Sequence, residues 1–373
     1  MINILYINHE TDSLGGCSYS LENMIQSVSG EVKPYILFRD YGLAYEYFVQ
    51  KGYDCIVIPF KLNILPRNFN YVKYPFRMLY DKWFNFRARR KIVDLVAQKS
   101  IQIIHSNSSV MTIGIETAME CNIKHVWHFR EFQDLDFGMK PFCGMKKFRS
   151  FMSKSDLNLS ISEAVQKHWG MDKYPNSKVV RNAVMGVDDV CYDKNKEKYV
   201  LFCSALLIKT KGVELALQIF NRSQIHKKGY RLVYVGKIVD EPLMSRLHKY
   251  IQKNGLEEHV SFVGYQKELT PYIRKATAFL MCSDNEALGR VSVEAMFGGC
   301  PVIAKNSGGS KEFINHGYNG FLFNDVGDGA ALLGSLISTD CSQLIMNANK
   351  TAVELFSKEE FGMMLIRLYR DII

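Results

Sequence analysis

One stretch in the second half of the chain reads Ser283-Asp-Asn-Glu286-Ala-Leu-Gly289-Arg290-Val-Ser-Val-Glu294-Ala-Met-Phe-Gly-Gly-Cys-Pro301-Val-Ile-Ala304. It follows an apolar segment that ends at Cys282 and runs into another that begins at Pro301. The residues between them predict a short polar loop around Glu286 and a helix that begins near Gly289. A strand, a loop, a helix and a second strand in this order are typical of a βαβ unit in a parallel sheet.

The polar residues of this stretch suit the binding of a nucleotide-sugar. Gly289 lets the backbone approach a ligand closely, and the free N–H groups of the first helical turn form an anion site for phosphates. Glu286 and Glu294 each offer a carboxylate that can accept two vicinal hydroxyls, one on a sugar and the other on a ribose. In the alternative interpretation, both glutamates are solvated residues at the start of a helix, where the dipole stabilises them.

The same alternation of apolar runs and helical patterns extends in both directions along the chain. In the first half the predicted strands are Ile2–Asn8, Pro34–Phe38, Cys55–Pro59, Ile101–Ser106, His125–Phe129 and Leu157–Ile161. In the second half they are Tyr199–Ser204, Arg231–Val235, Val260–Val263, Ala278–Cys282, Pro301–Ala304 and Gly320–Phe323. Continuous apolar strands with helices between them indicate two Rossmann-like α/β halves. The polar segment Asn182–Lys198 lacks periodicity and predicts the join.

Composition restricts the class of protein. The chain has 373 residues, of which 47% are hydrophobic and 23% charged, the mix of a folded protein of two domains. No apolar run reaches the roughly 18 residues of a membrane-spanning helix, and the N-terminus lacks the basic region and cleavage site of a signal peptide. We therefore expect a cytoplasmic protein. Its nine cysteines are scattered without a C-x-x-C pair, so we expect reduced thiols rather than disulfides or a metal site.

The order of residues around the quoted stretch resembles that of the retaining glycosyltransferases of family 4. The matching positions are Glu286, Glu294-Ala295-Met296, Gly299, Pro301-Val302, Gly308-Gly309, Glu312, Gly317 and Gly320. Further matches are Gly15-Gly16, Lys211-Gly212 and Val263-Gly264, so the resemblance covers nearly the whole chain. It implies the GT-B fold, an α/β architecture in which two Rossmann-like, doubly wound parallel-sheet domains face each other across a cleft.

The resemblance and the strand pattern together predict three segments. Residues 1–185 would form an acceptor and membrane-facing domain, residues 186–356 a nucleotide-sugar donor domain, and residues 357–373 a helix that packs back on the first domain. The first 185 residues hold 24 Lys and Arg against 17 Asp and Glu, a net charge of +7 out of +9 for the whole chain. We therefore expect an anionic partner to meet this half.

By this resemblance, the protein transfers a sugar from a nucleotide-diphosphate sugar, with a UDP-sugar favoured, to a glycan or lipid-linked glycan acceptor. The anomeric configuration is retained, the setting is synthesis of a surface polysaccharide such as a capsule, and no metal or other cofactor is needed. The implied catalytic residues are Glu286 and His128. The implied donor-binding residues are Gly15, Gly16, Lys211, Leu288, Gly289, Arg290 and Glu294, and the implied acceptor-side residues are Ser18, Arg130 and Glu131.

Two of these assignments have a structural alternative. Gly15-Gly16 is equally required as a tight turn between a strand and a helix, and both roles can hold at once. His128, Arg130 and Glu131 follow the predicted strand Lys124–Phe129, so they lie at the carboxyl end of a strand, where ligands bind in open α/β sheets. A lone histidine at such a position can also be purely structural.

The chain departs from the family at one phosphate-binding position. The family has an arginine five residues before the lysine that corresponds to Lys211, whereas this chain has Leu206. A leucine cannot neutralise a diphosphate. We expect Arg290, at the start of the phosphate-facing helix, to replace the missing arginine, with Lys209 as the second candidate.

Asp134-Leu135-Asp136 matches the D-x-D pattern that binds a divalent metal in the other main glycosyltransferase fold. A pattern this short is common by chance. We therefore expect it to be a polar loop and the enzyme to work without metal.

Two tracts combine basic and aromatic residues. Residues 61–91 hold nine Lys and Arg with a single acid, Asp81, and residues 137–154 repeat the pattern on a smaller scale. Basic amphipathic helices with aromatic residues bind anionic membrane surfaces. We expect such attachment, at the inner face of the plasma membrane, although the tracts could also be solvated helix faces with core aromatics. Nucleic acid is not expected, because no known nucleic-acid-binding motif is present.

Other functions remain compatible with the sequence. The missing arginine and the basic tracts would also suit a non-catalytic membrane- or nucleic-acid-binding protein on a degenerate GT-B scaffold. A nucleotide-sugar epimerase is another enzyme built from two Rossmann-like halves. The pair Glu286 and Glu294, with Ala295-Met296 after it, disfavours both.

Overall fold

The computed structural model describes residues 1–12, 14–66 and 74–373. These residues form two compact units. The first unit comprises Met1–Ala183 together with Phe361–Ile373, and the second comprises Val184–Glu360. Among the helices in the described ranges, none combines the length and the apolar character needed to cross a membrane.

The first unit is built on a parallel sheet. Its strands are β1 (Ile2–Asn8), β2 (Val32–Phe38), β3 (Asp54–Val57), β4 (Ile64–Pro66), β5 (Ile103–Ser106), β6 (Lys124–Phe129), β7 (Met139–Pro141), β8 (Leu157–Ser160) and β9 (Ser177–Val179). Seven of them form one sheet in the order β3-β2-β1-β5-β6-β8-β9, in which every neighbouring pair is parallel. The short strands β4 and β7 pair with each other in antiparallel fashion.

Helices connect these strands. They are α1 (Gly16–Ser27), α2 (Leu43–Gln50), α3 (Tyr74–Gln98), α4 (Ile113–Cys121), α5 (Asp134–Phe137), α6 (Met145–Lys154) and α7 (Glu163–Trp169). A helix between two parallel strands is the crossover that such a sheet requires.

The second unit repeats this architecture. Its strands are β10 (Tyr199–Leu207), β11 (Arg231–Ile238), β12 (Val260–Phe262), β13 (Ala278–Met281), β14 (Val302–Lys305) and β15 (Phe321–Phe323). They form a parallel sheet in the order β12-β11-β10-β13-β14-β15. Its helices are α8 (Val213–Ser223), α9 (Glu241–Lys253), α10 (Thr270–Lys275), α11 (Arg290–Phe297), α12 (Val326–Leu336) and α13 (Ser342–Phe356), and α14 (Lys358–Ile372) ends the chain.

Both faces of the first sheet are covered, because successive side chains of each strand point to opposite faces. On one face, Ile4 packs with residues of α1 and with Phe361, Leu365 and Tyr369 of α14. On the other face, Ile7 lies in the cluster that includes the buried residues of α3 and α4. The C-terminal helix is therefore part of the core of the first unit from Phe361 onwards.

The strand order reverses once in each sheet, between β1 and β5 in the first and between β10 and β13 in the second. In open parallel sheets, ligands bind outside the carboxyl ends of the strands at such a switch point. The segments that follow β10 and β13, and those that follow β1 and β5, are therefore the places to look for a site. The prediction of Rossmann-like, doubly wound parallel sheets is confirmed.

Candidate functional site

Lys211 and Glu286 meet at the switch point of the second unit. Lys211 ends a 3-10 turn that directly follows β10, and Glu286 lies in the loop after β13. The lysine Nζ lies 3.0 Å from Glu286 Oε2. The side chains are 34% and 18% exposed, respectively, so solvent and ligands can reach the pair. The structure thus brings together the predicted phosphate-binding cation and the predicted sugar-binding carboxylate.

Glycines hold the two loops in contact. Gly212 has φ +75° and lies so close to the carbonyl of Cys282 that a Cβ atom would overlap it. A Cβ at Gly308 would collide with the backbone of Glu286, and the N–H of Gly309 donates to the Glu286 carbonyl at 2.7 Å. Side chains at Gly212 or Gly308 would push the loops apart, which explains the glycines of the Lys-Gly and Gly-Gly pairs in physical terms.

The N-terminus of α11 lies beside this pair. Gly289 precedes the helix with φ +87°, and a Cβ there would lie 2.9 Å from Ser310 Oγ. Ser292 and Ser310 are buried, and within the described residues neither hydroxyl has a hydrogen-bond partner. Leu288 is also buried, so its backbone rather than its side chain is what it can offer a ligand. N–H groups at a helix N-terminus next to two hydroxyls suit an anion.

Arg290 and Glu294 form an ion pair within the first turn of α11, with the arginine Nε 2.8 Å from Glu294 Oε1. Burial and the charge of Glu294 raise the pKa of the Cys203 thiol to about 12. Glu294 is therefore close to the end of β10 as well as to Arg290. The pair occupies Nε of Arg290, so an anion must either bind the N–H groups on Nη1 and Nη2 or displace Glu294, which the sequence could not reveal.

A cation that the sequence analysis missed lies beside Leu206. This leucine is 43% exposed, and the parallel register pairs it with Lys237 on β11. Residues paired in register on neighbouring strands are adjacent on the same face of the sheet. Lys237 is exposed, as is Lys209 in the turn before Lys211. Lys237 ends the strand next to β10, and a search of that neighbouring strand end for cations would have found it.

In the first unit, a carboxylate from the loop after β1 binds at the N-terminus of α1. The carboxylate of Glu10 accepts hydrogen bonds from the N–H of Gly15 at 3.2 Å, the N–H of Ser18 at 2.9 Å and the hydroxyl of Ser18 at 2.5 Å. Ser18 is fully buried and also accepts a bond from Asn8. A Cβ at Gly16 would meet nothing within 4 Å. Glu10 thus occupies the N-terminus of α1. Of the predicted site residues in this segment, Gly16 is the one that faces open space.

His128, Arg130 and Glu131 lie at the end of β6, where Arg130 bonds to His128 and Glu131 has a separate set of partners. Arg130 donates from Nε to Asn107 at 2.9 Å, from Nη1 to Asn182, and from Nη2 to His128 Nδ1 at 3.3 Å. All three predicted residues are buried. The cluster is therefore an internal network in which Arg130 holds loops from different parts of the unit.

Glu131 points into a different group of partners. Its Oε1 accepts bonds from the hydroxyl of Ser108 at 2.7 Å and from the N–H and hydroxyl of Ser109 at 2.8 and 2.5 Å. These serines follow β5, at the switch point of the first sheet. Glu131 thus fixes the loop after β5, which is a positioning role in this structure.

Three buried groups around His128 were not foreseen. His105 Nε2 lies 3.3 Å from His128 Nδ1, His105 Nδ1 lies 2.7 Å from the hydroxyl of Tyr369, and this hydroxyl lies 3.3 Å from that of Tyr6. Burial, the charge of Arg130 and the proximity of His105 hold the pKa of His128 well below its usual value. Tyr369 lies on the C-terminal helix, more than two hundred residues away in sequence, so no local pattern could link it to His128.

The D-x-D segment makes local contacts. Asp134 Oδ1 lies 2.8 Å from His168 Nε2, and Asp136 accepts the N–H of Phe132 at 2.8 Å. A metal site needs several His, Cys, Asp or Glu side chains close together. In the described ranges, one group of three such residues has its ligand atoms within 4.8 Å of one another, namely His9, Glu10 and Cys17. Asp134 and Asp136 are not in it.

Helix α3 presents aromatic residues to solvent on the face opposite its core contacts. Asp81, Ala88, Ile92, Leu95 and Val96 are its buried residues, whereas Phe76, Leu79, Tyr80, Trp83 and Phe86 are between 47% and 78% exposed. The Arg87 guanidinium stacks over Trp83 at 5.0 Å and that of Arg90 over Phe86 at 5.5 Å. The part of the first basic tract that includes Arg67, Phe69, Tyr71 and Lys73 lies outside the described residues.

The second basic tract is different. Phe142, Phe148 and Phe151 are buried. Helix α6 directs Phe148 and Phe151 into the core and leaves its lysines and Arg149 in solvent, and Phe142 is buried just after β7. The expectation that this tract inserts its aromatic residues into a membrane is therefore wrong for these three, and Phe137, 66% exposed, is the exception.

Comparison with known proteins finds a family model that matches part of the chain. Residues 190–351 match the family model described as Glycosyl transferases group 1. The matched residues lie within the second unit. An uncharacterized glycosyltransferase of Methanocaldococcus jannaschii, MJ1178, is 22% identical over 96% of this chain and 95% of its own. LpsE of Rhizobium meliloti, a lipopolysaccharide core biosynthesis glycosyltransferase, is 31% identical over 34% of this chain and 38% of its own.

Solved structures agree with this match. The crystal structure of Anabaena Alr3699/HepE in complex with UDP has a TM-score of 0.82 at 18% identity and covers 99% of this chain and 100% of its own. The lipopolysaccharide outer core galactosyltransferase WaaB, in its apo form, has a TM-score of 0.71 at 17% identity over 99% of this chain and 100% of its own. The protein has the GT-B fold. The family match and these neighbours together support a GT-B glycosyltransferase.

Proposed function

We propose that the protein is a retaining glycosyltransferase that moves a sugar from a UDP-sugar to a glycan or lipid-linked glycan acceptor in surface polysaccharide synthesis. The observation that carries this proposal is the ion pair between Lys211 and Glu286 at the switch point of the second unit, beside the N-terminus of α11. HepE was solved with UDP and with UDP-glucose, and LpsE acts in lipopolysaccharide core biosynthesis by name. Both support the choice of donor and setting.

The diphosphate of the donor binds where Lys211, the N–H groups at Leu288–Gly289 and the hydroxyls of Ser292 and Ser310 converge. Before the donor arrives, Glu286 neutralises Lys211. A diphosphate that takes over the lysine releases the carboxylate of Glu286, which can then accept hydroxyls of the transferred sugar. Glu294 binds the ribose in the same way. The ion pair thus keeps two opposite charges satisfied until the donor replaces it.

Chemistry at this site is mainly stabilisation of developing charge. As the bond between the sugar and the diphosphate breaks, the leaving group gains negative charge and the sugar becomes oxocarbenium-like. Preorganised N–H groups and cations stabilise the departing diphosphate. The acceptor oxygen bonds to the anomeric carbon on the face that the leaving group vacates, and a leaving phosphate oxygen takes the acceptor proton. The anomeric configuration is retained, and neither an enzyme base nor a metal is required.

The candidates for the cation that stands in for the arginine missing at Leu206 are Arg290, Lys209 and Lys237. Arg290 begins the phosphate-facing helix, but it is paired with Glu294. Lys237 is next to Leu206 in register and exposed. We favour Lys237 over Arg290, because within the described part of the chain the structure records no ion pair that Lys237 would have to give up, and over Lys209, because the register places Lys237 beside Leu206.

The first unit contributes the acceptor side, with Gly16 and His128 as the residues nearest to an acceptor. Attachment to an anionic membrane through the exposed face of α3 would bring a lipid-linked acceptor to the same unit. Arg87 and Arg90 lie among exposed aromatic residues. Aromatic rings at the headgroup level with cations around them bind anionic bilayers without a spanning segment.

Binding of nucleotides tests the donor part of the proposal. A ligand at about 100 times its dissociation constant stabilises a protein by about 2.7 kcal/mol, so UDP should raise the melting temperature measurably, and Lys211→Ala should abolish most of that shift. Lys249→Ala, an exposed lysine on α9, is the matched control and should leave the shift unchanged. Equal shifts in both variants would contradict the assigned site. A non-catalytic scaffold would show no shift with any nucleotide.

A further inference from the structure

A buried chain of hydrogen bonds in the first unit ends at His128. It runs from Tyr6 on β1 through Tyr369 on α14 and His105 on β5 to His128 on β6, with distances of 3.3, 2.7 and 3.3 Å. These four side chains are fully buried. Arg130 joins the chain at its end, because its Nη2 lies 3.3 Å from the same His128 Nδ1.

The direction of each bond follows from Arg130. A guanidinium has only N–H groups and can only donate, so His128 Nδ1 must present its lone pair. Burial, the charge of Arg130 and the proximity of His105 disfavour a second proton on the His128 ring, and they hold its pKa well below the usual value. A neutral imidazole with a lone pair on Nδ1 has its proton on Nε2.

The same logic continues to the far end of the chain. His105 Nε2 faces the lone pair of His128 and therefore has the proton of its own ring, since burial also keeps the pKa of His105 well below its usual value. Its Nδ1 then accepts the hydroxyl proton of Tyr369, and the oxygen of Tyr369 accepts that of Tyr6. In this assignment every hydrogen bond has one donor and one acceptor, and all the donated protons point from Tyr6 towards His128.

His128 is left with one N–H group to offer. Its Nε2 is buried and makes no hydrogen bond with any residue in the described part of the chain. A buried N–H without a partner is costly, and that cost disappears when a ligand oxygen accepts the bond, either directly or through one water molecule.

We propose that Tyr369, acting through His105 and together with Arg130, fixes His128 as a hydrogen-bond donor at Nε2 towards an oxygen of a bound sugar, and that His128 is not a general base. Tyr369 and His105 are positioning residues in this scheme. The identity of the ligand rests on the proposed function, whereas the tautomer does not. The C-terminal helix thereby becomes part of the functional apparatus of the first unit rather than only part of its core.

The tautomer can be measured in the full-length protein without any substrate. Nitrogen-15 labelling of histidine distinguishes protonated from unprotonated ring nitrogens by their chemical shifts. Among the described residues, the titratable and charged groups that the hydrogen bonds link to His128 are Arg130 and His105 directly, and Tyr369 and Tyr6 through His105. Strand β8, which pairs with β6 at His128, places Leu159 beside it. We expect His128 to remain protonated at Nε2 alone from about pH 5.5 to 8.5. A proton on Nδ1, or protonation of the ring within that range, would overturn the proposal.

Tyr369→Phe tests the positioning role. The ring remains, but His105 Nδ1 loses its donor, so we expect His105 to become a mixture of tautomers and the signals of His128 to shift with it. Donor turnover should fall by roughly two- to tenfold, the effect of one hydrogen bond, while UDP affinity stays unchanged because UDP binds the second unit. Tyr6→Phe, which removes only the far end of the chain, should leave the His128 tautomer intact.

Tyr234→Phe is the matched control, because Tyr234 is buried in the second unit and its hydroxyl donates to the Val213 carbonyl at 2.9 Å. It should alter neither the histidine signals nor UDP affinity. If Tyr369→Phe behaved like Tyr234→Phe in both the spectra and turnover, the positioning role would be refuted. If the wild-type protein turned over no nucleotide-sugar, the proposed function would fail, and the spectra would still decide the tautomer.

Discussion

At the scale of single residues, the unsettled feature is the charge that replaces the missing arginine. Leu206 is exposed on β10 beside Lys237 of β11, and Arg290 is paired with Glu294. We expect Lys237→Ala to lower donor turnover roughly tenfold to hundredfold, which corresponds to the loss of a hydrogen bond to a charged group, and Arg290→Ala to have the smaller effect. Steady-state kinetics with a UDP-sugar measure both.

Leu206→Arg in the Lys237→Ala background should recover part of the lost turnover, because it restores a cation at the position where the family has one. Lys249→Ala is again the control. If Lys237→Ala were fully active and Arg290→Ala were not, the assignment would pass to Arg290, as the sequence analysis expected.

What the sequence could reveal at this scale was residue type and spacing. Glu286, Lys211 and His128 were identifiable because they match positions of the family and lie at or just after the end of an apolar strand. The residues that contact these side chains or lie beside them could not be identified from the sequence. The register that pairs Leu206 with Lys237 and the contact that brings Tyr369 to His105 exist only after distant segments have packed.

At the scale of elements, the exposed face of helix α3 predicts binding to anionic membranes. Four exposed cations, Lys82, Arg87, Arg90 and Lys91, lie among its exposed aromatic residues. Arg89 does not belong with them, because it pairs with Glu120 at 2.5 Å and with Glu116 at 3.7 Å. At about 1 kcal/mol for each cation near an anionic surface, changing the four to glutamine should release the protein from anionic vesicles. Flotation with vesicles measures this.

Two controls test whether flotation depends on the charges of α3: a change in ionic strength, and substitution of lysines elsewhere in the protein. Binding should weaken at high ionic strength, because charges at a surface are screened within roughly 8–10 Å. Changing four exposed lysines of the second unit instead, Lys227, Lys228, Lys249 and Lys253, alters net charge equally and should leave flotation intact. Equal recovery of wild type with neutral and anionic vesicles would return α3 to an ordinary solvated helix.

Most strands were predictable from the sequence, and three short ones were not. Each predicted apolar run overlaps a strand of the two parallel sheets, because a strand that is buried on both faces must be continuously apolar. Strands β4, β7 and β9 have three residues each. Strands β12 and β15 are equally short but were predicted, because they continue the alternation of strands and helices in the second half of the chain. Strands β4, β7 and β9 lie outside every apolar run that the sequence analysis identified.

At the scale of the whole molecule, the account rests on two units with different tasks. The second unit contains the residues that match the Glycosyl transferases group 1 model and the ion pair at the switch point of its sheet. The first has the buried histidine chain and the aromatic face of α3. The C-terminal helix returns to the first unit, where Tyr369 enters the histidine chain.

The most direct test of the central claim is release of UDP from a UDP-sugar by the full-length protein, measured in excess EDTA. We expect slow release without an acceptor, because water can replace it. Glu286→Ala should lower this turnover and leave UDP affinity nearly intact, whereas Glu294→Ala should mainly weaken UDP binding, since one carboxylate contacts the sugar and the other the ribose. Activity that EDTA abolishes and Mn²⁺ or Mg²⁺ restores, or an equal loss of UDP affinity in both variants, would contradict the account.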